Sequence, residues 1–476
     1  ASVRLRPWHN RRSVRPLESY LVMACAVAVL WPALFGTRSR RGVIAAVLVG
    51  LEVVQGQVEG YRWPLLLLYV VAVGMAVGDV VAVERELPWP RRVGRFLFGP
   101  LGLLVAAAPA FLFPVPELPV PSGPLQIGTQ TITLRHPELV EEYGERPGSR
   151  RRINVQIWYP AHVEEDAEPQ VWSPDIDYVG PALARRHRLP GFFFNSARYT
   201  DTHSYPDAAV DEGGFPLVVY SHGWEGFRTN SIAQVENLVS QGYVVIAIDH
   251  THIAVATVID GEPVYIDDGA LGDPEADVAV RQQAEAAIID TMAEDIRLVL
   301  DEAEAGADGA FGELAAAMDP TSVGLWGHGM GGAAALQVCL TDERCDAVAG
   351  QDPKVEFLPD AVLANTATKP MLFMRSDPWR DNDNDAVLRG VVARSGTITY
   401  WVDVRGADSS DFLTTPVVSP IAPQLGMRGP IDANRVIVIN RRFIAGFFDR
   451  FLLGTGSAAL DTVDFSEVDV EVIDRR

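Results

Sequence analysis

The pattern of apolar and polar positions changes character once along the chain. Up to about residue 115 it is made of long apolar blocks, at 20–35, 43–54, 65–83 and 96–115, separated by arginine-rich stretches. A membrane span needs ~20 apolar residues. The first, third and fourth blocks reach that length once their flanks are counted, whereas the second is short and contains Glu52. Three or four helices in a small transmembrane bundle are therefore expected over residues 1–115. Further along, the apolar runs shorten and alternate with amphipathic stretches. Residues 129–134 and 153–159 alternate apolar and polar side chains, which predicts an antiparallel β-hairpin at a sheet edge. Residues 164–214 lack sustained periodicity and read as a cap or long loop. From Pro216 onward, buried strands at 217–220, 244–248, 323–326, 347–350, 371–374 and 397–404 alternate with helices at 231–241, 276–305, 332–340 and 434–452. The long helix carries Ile288, Met292, Ile296 and Leu300 as its core stripe. This alternation predicts an α/β fold with a doubly wound, mostly parallel sheet, whose functional loops follow the carboxyl ends of the strands.

Residues 114–124, Pro-Val-Pro-Glu-Leu-Pro-Val-Pro-Ser-Gly-Pro, cannot continue a helix and mark the boundary between the two parts. The expected organisation is an anchoring region at 1–115, a proline-rich linker at 116–124, the α/β domain at 125–455 and an acidic tail at 456–476. Charge divides the same way. Residues 1–115 carry thirteen arginines against six acids, and the remaining chain carries 27 basic against 56 acidic residues, a net of −29. Such an acidic globule repels nucleic acid. Arginine clusters at 4–15 and 85–95 both favour the cytoplasm, which places the globule on the extracytoplasmic side if the second apolar block does not cross. If it does cross, the counts nearly balance and sidedness is open. Glu52 and Asp79 lie within apolar blocks, where snorkelling or pairing inside the bundle is the expected reason. Of the three cysteines, Cys25 is in an apolar block. Cys339 and Cys345 flank the end of one helix and pair only if the chain turns back there, so free buried thiols are the expectation.

The chemistry-bearing stretch is 322–332, Ser-Val-Gly-Leu-Trp-Gly-His-Gly-Met-Gly-Gly. A buried strand runs into a Gly-x-x-x-Gly turn and a helix starts at once, which is the form of a nucleophile elbow. The position of the nucleophile is Gly329. Glycine takes the positive φ of an elbow at little cost, so the scaffold survives while the attacking atom is gone.

The run Ser221-His222-Gly223-Trp224-Glu225-Gly226-Phe227-Arg228-Thr229, the Gly-His-x-x-Gly-Gly elbow, the strand ending at Asp352, and Gly429-Pro430-Ile431-Asp432 before a Phe-Phe-Asp-Arg helix resemble one known family. Over roughly residues 120–455 they look like the platelet-activating-factor acetylhydrolase-like branch of the α/β-hydrolases. The resemblance implies a carboxylic ester hydrolase for lipid-like or short acyl esters, with no metal or cofactor. It puts the oxyanion donors on the backbone amides of Trp224 and Met330 and the triad acid on Asp352. Two triad positions depart from the family pattern. The serine is Gly329, and the histidine falls at or beside Asp408, in Gly406-Ala407-Asp408-Ser409-Ser410-Asp411, with no histidine anywhere after His328. The triad of this fold runs Ser, Asp or Glu, then His along the chain, so the base has not slipped by a few positions.

Replacement nucleophiles at Ser221, Ser409, Ser410 or Cys339 have no base identifiable from sequence. His222 reads as a structural residue of the oxyanion loop, and His328 is expected to point away from the cleft. Asp249, His250 and His252 have spacings that suit a metal but lack a fourth ligand, and read as a polar strand terminus. Three functions remain open: a membrane-anchored, non-catalytic relative that binds an ester, lipid or protein; an esterase with a displaced nucleophile; and a functional membrane bundle with a regulatory globule.

Overall fold

A computed structural model describes residues 15–35, 43–81 and 89–475 apart from 146, 212, 274, 381, 457, 462 and 463, and separates the chain into two units, Ala1–Glu117 and Leu118–Arg476. The Arg4 to Arg12 part of the first arginine cluster, Arg85, and the side chain of Asp79 lie outside the described residues.

Among the described residues the first unit holds four helices: α1 (Pro16–Phe35), α2 (Val43–Val58), α3 (Leu66–Val81) and α4 (Trp89–Leu112). Its small core is Leu21, Cys25, Ala28, Leu48, Leu65, Leu68, Tyr69 and Ala72. Larger apolar side chains, among them Trp31, Val70, Phe98, Leu104 and Phe111, are exposed. That is the reverse of a water-soluble bundle. Two helices, α1 and α4, are long and apolar enough to cross a membrane, while α2 and α3 are shorter. The third block, expected to be long enough, follows a 3₁₀ turn at Trp63–Leu65 containing Pro64 and gives a helix of 16 residues, with residues 82–88 outside those described. Several polar groups of the unit are paired among the described residues. Arg62, buried, forms a two-pronged ion pair with Glu18 (2.9 and 2.5 Å) and donates to the Phe113 carbonyl (3.1 Å). Glu59 caps α1 by accepting from the Leu17 and Glu18 amides at 2.8 and 3.0 Å. The end of α2 therefore meets the start of α1, so the two helices run antiparallel along their length.

A separate hairpin of Ala256–Ile259 with Glu262–Tyr265, and a two-residue strand Ala209–Val210 paired with Ala161 and His162, accompany the main structure of the second unit, one twisted sheet with helices on both faces. Its strands are β1 (Ile127–Val140), β2 (Arg150–His162), β3 (Ser204–Pro206), β4 (Phe215–Ser221), β5 (Val244–Asp249), β6 (Met318–His328), β7 (Ala347–Gln351), β8 (Met371–Arg375), β9 (Ile398–Val404) and β10 (Val468–Asp474). Their spatial order is β10-β9-β8-β7-β6-β4-β5-β2-β1-β3. The strands from β9 through β5 run parallel, and the predicted hairpin β1–β2 is antiparallel, with Thr129 opposite Trp158. One face is covered by α6 (Val278–Glu304) and α7 (Met330–Thr341), the other by α5 (Ile232–Ser240) and α8 (Ala433–Phe451). The stripe Ile288, Met292, Ile296 and Leu300 is buried as its spacing requires, and Phe443, Phe447 and Phe448 of α8 are fully buried. Each such side chain contributes about 1.5–3 kcal/mol relative to exposure.

Two segments differ from their sequence reading. Residues from the acidic stretch 456–476 form β10, which extends the sheet beside β9 with Val402 opposite Val470. Val468 and Val470 supply an apolar face that the acidic composition hides. Residues 118–124 do not hang free either. Leu118 is buried in the core, Ser122 and Gly123 bond Asn237 and Ser240 of α5, and Arg441 donates to the Val120 carbonyl. Cys339 and Cys345 form a disulfide, contrary to the expectation of free thiols, because the chain leaves α7 through a turn that brings their Cα atoms to 5.1 Å.

Candidate active site

The carboxyl ends of β4, β5, β6, β7 and β8 converge on one cleft. At its centre β6 ends at His328, the chain reverses at Gly329 with φ 57° and ψ −123°, and α7 starts at Met330. The turn is tight because its glycines admit backbone where side chains normally stand. A Cβ on Gly331 would lie 2.2 Å from the Ser221 carbonyl oxygen, and one on Gly327 would lie 2.3 Å from that of Gly331. Gly329 is different. A Cβ there meets only the Gly223 Cα at 3.7 Å, so the space for a nucleophile persists above the elbow. The Gly329 amide donates to Gln351 O, and Gly329 O accepts from the Lys354 amide, both at 3.0 Å, which ties the elbow to the end of β7.

Asp352 follows β7 directly and is buried, with φ 46°. Its carboxylate accepts from the Ser376 amide at 2.8 Å and the Ser376 hydroxyl at 2.6 Å. Burial pushes this carboxyl up to about 7, although the Ser376 bonds and the nearby Ser409 hydroxyl pull against it. Ser409 thus lies near the acid. Its neighbour Asp408, singled out from the sequence, serves instead as the cap of a short turn, accepting from the Ser409 amide at 2.6 Å in a reciprocal box with Asp411.

His328 contradicts its sequence reading. It turns toward the cleft, with Nε2 2.9 Å from Ser409 Oγ and 3.1 Å from Ser409 O. Gly223 leaves room for the ring, since a Cβ there would crowd His328 Nδ1 at 3.2 Å. Burial lowers the imidazole to about 4, so it is neutral at pH 7. A carbonyl oxygen can only accept, so Nε2 carries the proton and donates to Ser409. The site holds two hydrogen-bonded pairs side by side, His328 with Ser409 and Asp352 with Ser376.

The Trp224 amide has no acceptor among the described residues, and Met330, as first residue of α7, has an amide without an intrahelical partner. Ser410 bonds the Met427 carbonyl, and Cys339 has no thiol. Asp249 is held by Arg228 and Thr257, while His252 faces the Tyr265 carbonyl. Among the described residues no three His, Cys, Asp or Glu side chains form a metal-binding group. The sequence reading missed one constellation. Ser221 Oγ is 2.8 Å from His250 Nε2, and His250 Nδ1 is 2.8 Å from Asp295 Oδ2, all fully buried. The signal for it was an acid, Asp295, between Met292 and Ile296 on the buried stripe of α6.

A parallel sheet with a strand-turn-helix elbow, an adjacent acid and two free amides defines an α/β-hydrolase fold. The family model of platelet-activating factor acetylhydrolase, isoform II, matches residues 113–269. Platelet-activating factor acetylhydrolase of Canis lupus familiaris is 24% identical over 326 residues, covering 63% of this chain and 71% of its own. That of Gallus gallus is 22% identical, covering 63% and 78%. A putative phospholipase A2 of Schizosaccharomyces pombe is 28% identical over 165 residues, 32% of this chain and 37% of its own. Among solved structures, a ferulic acid esterase from Streptomyces cinnamoneus superposes with a TM-score of 0.61 at 26% identity, covering 75% of this chain and 99% of that one. The chain is thus similar in sequence to the platelet-activating factor acetylhydrolases and has an α/β-hydrolase fold.

Proposed function

We propose that this protein is a membrane-anchored relative of the acetylhydrolases that binds an ester or lipid in its cleft and does not hydrolyse it by the family's serine route. The observation that carries the reading is Gly329 at the elbow together with an Asp352 that is bonded by Ser376 and by no histidine among the described residues. One position lacks the attacking atom, and the other lacks the base that would activate it. His328 does not substitute, because its Nε2 is committed as a donor to Ser409. The exposed apolar surface of α1 and α4 supports anchoring. Because α2 runs the length of α1, arginine counts no longer decide the side. The Cys339–Cys345 disulfide supports an extracytoplasmic globule, since disulfides persist in oxidising compartments.

A second reading rests on Ser409, a hydroxyl near the Asp352 carboxyl, whose affinity for protons is raised and which Ser376 also bonds. In that reading Asp352 is the base and Ser409 the nucleophile. Treatment of the full chain with a fluorophosphonate probe, followed by peptide mapping, separates the two. No adduct is expected. An adduct on Ser409 replaces the first reading with the second.

A further inference from the structure

Ser221, His250 and Asp295 have the spacing of a hydrolytic triad, 2.8 Å at each step, yet all three side chains are fully buried. Asp295 is also gripped by Arg151, whose Nε and Nη2 lie 2.7 and 2.6 Å from its two oxygens. Arg151 in turn binds both oxygens of Glu141. No ester reaches this cluster, so its chemistry is not acyl transfer. What it touches at its other end is the oxyanion loop.

The bonds run in one direction. Asp295 accepts from His250 Nδ1–H, which leaves Nε2 to accept from the Ser221 hydroxyl. The backbone amide of His250 donates to His222 Nε2 at 3.3 Å, and the two rings pack edge to face, 5.1 Å between centroids. His222 Nε2 is therefore bare and Nδ1 carries the proton, which it donates to the Gly223 carbonyl at 2.7 Å. Burial keeps this ring neutral, lowering it to about 3. The Gly223 carbonyl and the Trp224 amide belong to one planar trans peptide and point in opposite directions. Fixing the carbonyl fixes the amide.

We propose that His222, backed by the buried His250–Asp295–Arg151 chain, is the positioning residue that aims the Trp224 amide into the cleft. The Gly223 carbonyl also accepts from the Gly226 amide at 2.9 Å, but that turn passes through Glu225 at φ 65°. A non-glycine residue there disfavours the turn, so the second bond, from His222, holds it closed. Far side anchoring comes from Arg228, bonded to Asp249 and to Asp175 at 2.7 Å. Such an amide, rigid and without an acceptor of its own, suits the oxygen of an acyl carbonyl or carboxylate. This assignment of ligand class rests on the binding function proposed above.

The test uses the full chain in detergent micelles, labelled with ¹⁵N at its ten tryptophans. Trp224→Phe identifies the Trp224 amide signal, and the other nine report the fold. His222→Asn keeps an N–H at the place of Nδ1, whereas His222→Gln carries its amide to the place of Nε2. Wild type and His222→Asn are expected to give one sharp Trp224 signal. His222→Gln is expected to broaden or split it, with the other nine unmoved. An unchanged Trp224 signal in His222→Gln overturns the positioning role. If His222→Gln disturbs all ten signals, Ser221→Ala carries the test: it loosens His250 without touching the loop, and a Trp224 signal identical to wild type again overturns the proposal. Sodium octanoate, added to wild type, addresses binding separately. A sharp Trp224 signal that octanoate leaves in place keeps the positioning role and removes the acyl-ligand reading.

Discussion

Asp352 accepts from the amide and the hydroxyl of Ser376 at 2.8 and 2.6 Å, and among the described residues no histidine hydrogen-bonds its carboxyl. The acid is not bare. A buried carboxylate without partners costs far more than the fold can spare, and the two Ser376 donors satisfy it without supplying a base.

This pairing sets a pH dependence. The carboxyl of Asp352 rises from its ordinary value to about 7 on folding, so the folded state binds the extra proton between about pH 4 and 7. Its contribution to stability is present below pH 4 and declines as pH rises through 7. His328 and His222 act oppositely, since their lowered values remove stability as pH falls below the ordinary histidine range. Asp352→Asn is expected to abolish the decline toward pH 8 and to leave the loss below pH 6 intact. Melting temperatures of the two proteins from pH 4 to 9 check it; parallel curves contradict it.

Restoring the reaction takes two changes. Gly329→Ser alone supplies a hydroxyl without a base, and Ser409→His alone supplies a base without a nucleophile. Each loss costs about six orders of magnitude in turnover in a serine triad, non-additively. The double variant Gly329→Ser/Ser409→His is expected to turn over p-nitrophenyl acetate at ~10³-fold or more above either single variant, beside the free Trp224 and Met330 amides. The same assay with His at Asp408 is expected to stay silent, because that side chain caps its own turn.

The elbow glycines are not equivalent. Gly331→Ala drives a Cβ to 2.2 Å from backbone that cannot yield, and loss of the folded globule is expected. Gly329→Ala has room and bears only the strain of its positive φ, about 1–3 kcal/mol. Denaturant titration of both variants distinguishes the two outcomes.

The fold was legible because its signals are local. Strands such as 244–248 are short continuous apolar runs, and the stripe from Ile288 to Leu300 repeats at helical spacing. The missing serine was legible too, since the elbow needs only glycines at fixed offsets. What the sequence hid depends on the third dimension. His328 packs against Gly223, far away in the chain, where a side chain would crowd its ring. Ser409 and Asp408 are adjacent, and nothing in their order says which faces the acid. The β10 strand was masked by its charges, because an edge strand needs only one apolar face.

Removal of residues 1–117 is expected to yield a soluble, acidic globule. Beginning the chain at residue 125 instead removes buried Leu118 and the bonds of Ser122 and Gly123 to α5. The shorter fragment is expected to be less stable by at least about 2 kcal/mol, measured by urea unfolding. Equal stability contradicts the docking of this segment.

The central claim is that the chain as it stands does not form an acyl-enzyme at its elbow or beside it. Stopped-flow mixing of the full protein with excess p-nitrophenyl acetate tests this most directly. The expected trace is linear from the first point, at the rate of spontaneous hydrolysis with no burst. A burst of nitrophenolate stoichiometric with protein would contradict the account.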